Sequence, residues 1–123
     1  MKKIEAIIRE SAFERVKEAL HAIDINFFTY IECKGVGNQK ASNRVYRGAI
    51  CSSEFINRYE LTIIVNDIDL RKTINCILDS AYTGEVGDGK IFVSTIDESW
   101  TIRTKENGDE SITQKTLLDY AAV

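Results

Sequence analysis

Two spacings of apolar residues alternate along the chain, and their order constrains the fold more than any other feature. Apolar residues two positions apart predict a strand, and apolar residues three or four apart predict a helix. The order is strand, helix, strand, strand, helix, strand, which predicts the α+β class and a ferredoxin-like βαββαβ sandwich with two helices on one face of an antiparallel sheet. The patterns occupy residues 2–10, 12–22, 26–33, 59–66, 67–83 and 90–95.

Local signals at the ends of these segments refine the prediction. Ser11 and Glu14 have the spacing of a capping box, so they are expected to begin the first helix. Asp67 is a favourable N-cap for the second helix. Residues 99–104 predict a further short strand, and residues 112–123 predict a short terminal helix.

Two features of this arrangement lie outside the regular pattern. Residues 34–57 are polar and mostly lack a period, which predicts a long loop between the two central strands. One face of the sheet is left uncovered by helices, although several strands have apolar positions on both faces. Because a monomer would expose this surface, the sequence predicts an oligomer.

Composition excludes several classes of function. The chain has 123 residues and a net charge of -3, which predicts a single domain and gives no basic footprint for nucleic acid. No apolar run reaches the roughly 20 residues of a membrane span, and the N-terminus lacks the pattern of a signal peptide. Cys33, Cys51 and Cys76 are odd in number and widely spaced, so we expect reduced thiols and a cytoplasmic location.

The stretch TGEVGDGKIFV, Thr83 to Val93, raises the question of a phosphate-binding loop. The motif of the large class of nucleotide hydrolases requires Ser or Thr after the lysine, with a strand before the loop and a helix after it. Here Ile91 follows Lys90, and the loop lies between a predicted helix and a predicted strand. That class of protein is therefore excluded.

The same loop nevertheless has residues suited to phosphate. Gly84, Gly87 and Gly89 have no Cβ, so main-chain N–H groups can converge on an anion. Lys90 adds a positive charge, and Arg103 would add a forked donor if the fold brings it near. The alternative is a glycine-rich turn between helix and strand, and the loop by itself does not decide between them.

Four motifs stand in register along the chain: the opening KKIEAIIR, the segment KGVGNQKA, the tripeptide YRG at residues 46–48, and TGEVGDGKIFV followed by IRT. Together they resemble the PII family of nitrogen and energy signalling proteins. The resemblance extends from Met1 to about Ile112, and residues 113–123 form a C-terminal extension beyond it. With this support, the phosphate-binding interpretation of the glycine loop is favoured over the turn.

The resemblance implies a homotrimer of ferredoxin-like subunits, with clefts between neighbouring subunits that bind ATP or ADP competitively. In the family, the loop matching residues 83–90, here called the phosphate loop, wraps the phosphates, while Arg103 reaches them from the next subunit. Thr29 and Ile64 match positions around the adenine. The full set of implied nucleotide contacts is Thr29, Gly35, Gly37, Gln39, Ile64, Gly87, Asp88, Gly89, Lys90, Arg103 and Thr104.

An effector site is also implied beside the nucleotide. Gln39 matches the glutamine that, with ATP, helps to coordinate Mg²⁺ and 2-oxoglutarate. Lys40 and Arg58 match the other effector-binding positions.

The resemblance further implies a docking segment, the T-loop, at about residues 37–55. In the family this segment changes shape with the ligand and docks onto a target protein. Tyr46, Arg47 and Gly48 are the implied partner contacts. The expected target is a membrane transporter such as an ammonium channel, or a nitrogen-metabolism enzyme or regulator, so membrane contact would be peripheral and through a partner.

Five positions depart from the family's pattern. Thr101 stands where a second phosphate-contacting arginine is frequent, and Asn38 stands where an arginine precedes the glutamine. Arg58 replaces a lysine that pairs with a 2-oxoglutarate carboxylate, and Ala41 stands where glycine is frequent. Cys51 replaces the tyrosine that many bacterial members modify, which excludes uridylylation at that position.

Three functions are weighed against these residues. The first is a non-enzymatic sensor of ATP, ADP and 2-oxoglutarate, and the second is an adenylate energy sensor that does not bind 2-oxoglutarate. The third is a slow ATPase, which would need a base or a water-orienting group near the γ-phosphate. Nothing marks Asp88 as catalytic, so the expectation is a protein that is not an enzyme.

Overall fold

A computed structural model describes residues 1–38, 44–46, 49–51 and 53–108, with the side chains of residues 1–36 and 55–108. The predictions for Gln39, Lys40, Ala41, Arg47, Gly48 and the C-terminal residues 112–123 lie outside the described residues. The elements are β1 (Lys2–Arg9), a 3₁₀ turn (Glu10–Ala12), α1 (Phe13–Ala22), β2 (Thr29–Asn38), β3 (Arg44–Tyr46), β4 (Ala49–Cys51), β5 (Ser53–Val65), α2 (Asp67–Ala81) and β6 (Gly89–Thr95).

Four strands form one antiparallel sheet in the order β2-β5-β1-β6, and β3 and β4 form a separate two-stranded ladder. The two strands that are adjacent in sequence to α1 are separated in the sheet by β5. This interleaved order, with one helix after the first strand and one before the last, confirms the ferredoxin-like βαββαβ prediction.

The core lies between the sheet and the two helices. Ile4, Ala6 and Ile8 alternate along β1 and are at most 2% exposed, and they share a buried cluster with residues of β5 and both helices. Burying each large aliphatic side chain contributes about 1.5–3 kcal/mol relative to leaving it in water. The shared cluster confirms that both helices cover one face, and its other fully buried members include Val16, Leu20, Leu61, Ile63, Val65 and Ile77.

The opposite face of the sheet, here called the uncovered face, carries the alternate residues of each strand. Ile7 is opposite Lys90 on one side and Glu60 on the other, and Glu60 is in turn opposite Ile31. Ile31 and Phe92 on this face are 58% and 52% exposed. Exposed apolar side chains therefore stand on this face, as the sequence predicts, but they are interspersed with charged residues such as Glu60 and Lys90.

The start of the first helix differs from the prediction. Ser11 lies within the 3₁₀ turn, and Ala12 is the N-cap of α1 without any side-chain capping bond, so the predicted capping box is wrong. Ala12 and Phe13 are buried at 0% and 6% exposure. Their burial explains how the chain passes from the turn into the helix without a polar cap.

The second helix also begins differently from the prediction. Asn66, rather than Asp67, is its N-cap, and Asp67 is the first residue inside the helix. The Asp67 carboxylate instead accepts a hydrogen bond of 3.0 Å from the amino group of Met1, which lowers its pKa. Neither described helix combines the length and the hydropathy that crossing a membrane would require.

The short strand predicted at residues 99–104 is wrong. Residues 102–104 form a turn, and a single bridge joins Trp100 to Asn107. Trp100 and Ile102 are 58% and 94% exposed, so the alternation of these two side chains buries little apolar surface. Without burial, apolar alternation gives a strand no advantage.

The long loop predicted at residues 34–57 is shorter in the structure. Strand β2 continues to Asn38 and β5 begins at Ser53, so the ladder between them extends through Gly35–Ile56 to Asn38–Ser53. Main-chain ladder hydrogen bonds do not require a hydrophobic period, so an aperiodic polar sequence can still pair. The paired residues 33–38 of β2 and 53–58 of β5, here called the hairpin arm, start beside the phosphate loop.

Candidate functional site

The phosphate loop joins the end of α2 to the start of β6 and turns on three glycines. Gly84, Gly87 and Gly89 have φ angles of 86°, 101° and 111°, a region that residues with side chains rarely adopt. The tightest position is Gly89, where a Cβ would lie 1.8 Å from the carbonyl oxygen of Ile7 on β1. Glycine there allows β6 to pair with β1 as soon as the loop ends.

The Asp88 carboxylate organises the loop from within. It accepts hydrogen bonds from the main-chain N–H groups of Thr83 at 2.8 Å and Gly84 at 3.0 Å, and from the Thr83 hydroxyl. The Nε of Arg9 donates to the same carboxylate at 3.0 Å. The bonds from Thr83, together with those from Arg9 and Gly84, hold the pKa of Asp88 well below its usual range. The loop is thereby closed into a ring between Thr83 and Asp88.

Two arginines of the sheet hold the other side of the loop. Arg9 and Arg58 are cross-strand partners on β1 and β5. The Nη2 of Arg9 donates to the Val86 carbonyl at 2.7 Å, and the Nη1 of Arg58 donates to the Gly87 carbonyl. In a planar trans peptide the C=O and N–H groups point in opposite directions. The N–H groups of Gly87 and Asp88 are therefore turned away from the two guanidinium groups.

Positive charge is concentrated behind the loop. Arg58 is only 9% exposed, and burial, followed by the charge of Arg9, lowers its pKa. A guanidinium still remains charged in proteins. The Asp88 carboxylate opposes this charge, and any anion that binds in front of the loop would oppose it further.

We expect the hydrogen-bonded ring of the loop to be stable at neutral pH and to open only in acid. Because the pKa of Asp88 is lowered in the folded protein, its contribution is complete above the unfolded value of about 3.9 and is lost as the pH falls towards the folded value. The free energy of unfolding should therefore begin to fall below about pH 4, whereas the amide resonances of Thr83 and Gly84 in NMR spectra of the folded protein should stay constant from about pH 8 to pH 4 and move only at lower pH, towards the folded value. A midpoint near pH 6 would contradict this assignment.

The phosphate loop forms part of a cleft of about 500 Å³. Strands β2 and β5 contribute residues of the hairpin arm to the same cleft, and Ile7 and Phe92 contribute apolar surface. The cleft brings together six of the residues predicted from the sequence as ligand contacts: Gly35, Arg58, Gly87, Asp88, Gly89 and Lys90.

The other predicted contacts within the described residues lie elsewhere in the fold. Thr29 and Ile64 lie on the uncovered face, opposite Thr62 and Lys3 respectively, further along the strands from the phosphate loop. Gly37 belongs to β2, and Tyr46 ends β3.

Arg103 and Thr104 lie in a turn that follows β6. Strand β6 begins at the phosphate loop and ends at the opposite end of the sheet, so this turn is at that far end. Among the described residues, neither of them lines the cleft.

Sequence analysis missed Arg9 and Thr83 as members of this site. Thr83 begins the quoted loop, and Thr and Asp are residue types whose side chains form local hydrogen bonds in turns, which is the one sequence signal that could have indicated it. Arg9 is the last residue of β1, and only the pairing of β1 with β5 and β6 shows that it reaches the loop. The register of the strands was the missing information.

Comparison with known proteins identifies the family and agrees with the fold. The family model described as "Nitrogen regulatory protein P-II" matches residues 1–106. The protein of that name from Azospirillum brasilense is 42% identical to this chain over 112 residues, which cover 91% of this chain and 100% of the relative.

Two further relatives with the same name come from Rhodospirillum rubrum and Bradyrhizobium diazoefficiens. Each is 43% identical over 112 residues, with the same coverage of 91% and 100%. The match spans the sheet, both helices and the phosphate loop. The chain therefore belongs to the nitrogen regulatory protein P-II family.

Proposed function

We propose that the protein is a non-enzymatic signalling protein that binds ATP or ADP in clefts between the subunits of a homotrimer. The T-loop, at about residues 37–55, would transmit the nucleotide state to a target protein. Family membership supports this role, because the relatives are named as regulatory proteins. The observation that carries the proposal is the construction of the phosphate loop.

The phosphate loop has the groups that a nucleotide phosphate requires. Arg9 and Arg58 hold consecutive carbonyls on one side, so the N–H groups of Gly87 and Asp88 face the other side. Lys90 follows on β6 and lines the same cleft. Main-chain N–H groups that are already oriented bind an anion at little entropic cost, and a lysine adds a long-range attraction.

On the uncovered face, the proposed site extends from the phosphate loop towards the residues expected around the adenine. Glu60 and Lys90 both pair with Ile7, so they stand in one row across the sheet. Ile64 lies four residues further along β5 than Glu60, a distance of about 13 Å at the usual rise of a strand. Thr29 lies on the same face, two residues closer to that row. An extended nucleotide with its phosphates at the loop and its adenine near these residues would span this length.

The trimer is proposed on the same surface. Ile31 and Phe92 leave apolar area exposed on one subunit, which association would remove from water. Arg103 and Thr104 follow β6 at the end of the sheet opposite the phosphate loop of their own subunit, so we propose that they reach the cleft of a neighbour. A monomeric protein would lack these two contacts.

We include in the proposal the ligands and partners that the family resemblance implies. Gln39 would help to hold Mg²⁺ with ATP, and the γ-phosphate would then distinguish the ATP state from the ADP state at the base of the T-loop. Lys40 would take part in effector binding, and Tyr46, Arg47 and Gly48 would contact the target. The target would be a transporter such as an ammonium channel or a nitrogen-metabolism enzyme or regulator, and the protein would be cytoplasmic and reach the membrane only through that partner.

A second function, an adenylate sensor without 2-oxoglutarate, is favoured by the contacts of Arg58. The family position that commonly carries a lysine here carries a guanidinium that donates to the Gly87 carbonyl. The Arg58 side chain also lies against Gly35, where a Cβ would be 3.5 Å from its Cγ. An arginine so engaged offers a dicarboxylate less than a free ammonium would.

The slow ATPase is disfavoured by the contacts of Asp88. Its carboxylate accepts from Thr83, Gly84 and Arg9, and its pKa lies well below the usual range. A general base needs a pKa near the working pH and access to the attacking water. Asp88 is therefore assigned to the structure of the loop.

Two measurements on the purified chain test the proposal. Light scattering after gel filtration should give the mass of a trimer, and calorimetric titration should show that ADP and Mg-ATP bind and compete for one site. A subsequent titration of 2-oxoglutarate into the Mg-ATP complex separates the two functions. Saturable heat supports a sensor that also binds 2-oxoglutarate, and its absence supports an adenylate sensor that does not. A monomer, or no binding of either nucleotide at millimolar concentration, would refute both.

A further inference from the structure

We propose that Arg58 is a positioning residue that couples the phosphate loop to the base of the β2–β5 hairpin arm. Through it, an anion bound in front of the loop would change the order of the arm without any second ligand. This inference rests on the proposed nucleotide site and assigns a regulatory contact within it. Two sets of contacts made by one buried side chain support it.

The first set joins Arg58 to the phosphate loop. Its Nη1 donates to the Gly87 carbonyl, one peptide unit after the Val86 carbonyl that accepts from Arg9. The two guanidinium groups thus bind the carbonyls of two consecutive peptide units, and the N–H groups of these units face the opposite side. These units belong to the segment that is proposed to bind phosphate.

The second set joins Arg58 to the hairpin arm. Arg58 belongs to β5 and is opposite Cys33 of β2. A Cβ built on Gly35, also in β2, would lie 3.5 Å from the Arg58 Cγ and 3.9 Å from its Nε, so the side chain lies over Gly35. The paired strands continue only to Asn38 and Ser53. Arg58 therefore lies at the base of the arm and contacts both of its strands.

The peptide units between these contacts provide the coupling. An N–H group that donates to an anion polarises its peptide unit, and the carbonyl of the same unit becomes a stronger acceptor. A phosphate bound to the N–H of Asp88 would therefore strengthen the bond from Arg58 to the Gly87 carbonyl. The negative charge of the phosphate would also offset the repulsion between Arg58 and Arg9, which now disfavours holding them together. Both effects fix Arg58 and, through its packing on Gly35, the base of the arm.

The proposal depends on the shape of arginine as well as on its charge. A guanidinium has donors in a planar fork, whereas lysine has one compact ammonium on a flexible stem. Arg58→Lys keeps the charge but loses the fixed geometry and the packing of Nε against Gly35. It is therefore the variant that separates coupling from simple electrostatics.

Hydrogen exchange measured by mass spectrometry, with and without saturating ADP for each protein, tests the coupling. In the wild-type chain, ADP should slow exchange in the phosphate loop, residues 84–89, and also at the base of the arm, residues 33–36 and 55–58. In Arg58→Lys, ADP should still slow exchange in the loop, but the change in the arm should fall to less than half. Lys34→Met, which removes a charge from the arm without contacting the loop, is the control and should behave as wild type.

Each other outcome has a defined meaning. An arm response in Arg58→Lys equal to that of wild type would overturn the coupling, and so would a wild-type response confined to the loop. Loss of ADP binding by Arg58→Lys would assign Arg58 to ligand contact and also overturn it. Absence of ADP binding in wild type would instead refute the proposed function itself. Arg58→Gln, which keeps a donor without the charge or the fork, should repeat the result of the lysine variant and serves if that variant does not fold.

Discussion

Replacing Gly89 with alanine should lower the free energy of unfolding by about 3 kcal/mol or more and abolish nucleotide binding. The φ angle of Gly89 is 111°, and a residue with a Cβ adopts such a conformation at a cost of about 1–3 kcal/mol. The new Cβ would also lie 1.8 Å from the oxygen and 2.9 Å from the carbon of the Ile7 carbonyl. Main-chain atoms cannot relieve a clash by changing rotamer, so the steric cost adds to the conformational cost.

The pairing of β1 with β6 explains why the effect should reach the binding site. Gly89 is opposite Ile8, and Lys90 is opposite Ile7, at the point where β6 joins the sheet. Moving Gly89 away from β1 displaces Asp88 and Lys90, the two neighbouring residues of the phosphate loop. Stability and nucleotide affinity should therefore fall together.

Gly108→Ala is the matched control for this prediction. Gly108 also has a positive φ, 92°, but a Cβ there would have no heavy atom within 4 Å. This variant should lose only the conformational term, about 1–2 kcal/mol. Urea denaturation followed by circular dichroism measures both losses. Equal losses in the two variants would show that the contact with Ile7 is not the cause.

The fold could be predicted because its apolar periods coincide with burial. Ile4, Ala6 and Ile8 alternate along β1 and are all buried. The same alternation at Trp100 and Ile102 predicted a strand that the structure does not contain, because those side chains are exposed. Sequence spacing indicates which residues can share a face, but it does not indicate whether another element covers that face.

The phosphate loop could be predicted in part for a related reason. Gly84, Gly87 and Gly89 reveal a backbone that needs positive φ, and all three have it. Arg9 lies about 80 residues earlier in the chain and contacts the loop only through strand register. The local sequence does not indicate which distant strands will pair, so this contact could not be predicted from it.

The substitution Asp88→Asn should weaken ADP binding at least about tenfold. The Asp88 carboxylate receives only donors, from the N–H and hydroxyl of Thr83, the N–H of Gly84 and the Nε of Arg9. An asparagine has one acceptor oxygen, and its NH₂ group would face a donor in either orientation. The ring would open and the N–H groups of the loop would lose their common orientation.

An opposing effect must be separated from this loss. Removing a negative charge beside a phosphate favours binding, and that gain would partly offset the disorder of the loop. Glu85→Gln is the control, because Glu85 has the same charge, belongs to the same loop and lines the same cleft. Calorimetric titration of ADP should give an affinity equal to wild type or up to about threefold tighter for Glu85→Gln, and a weaker one for Asp88→Asn. If both variants bind ADP equally well, the Asp88 carboxylate acts only as a charge, and its role in ordering the loop is refuted.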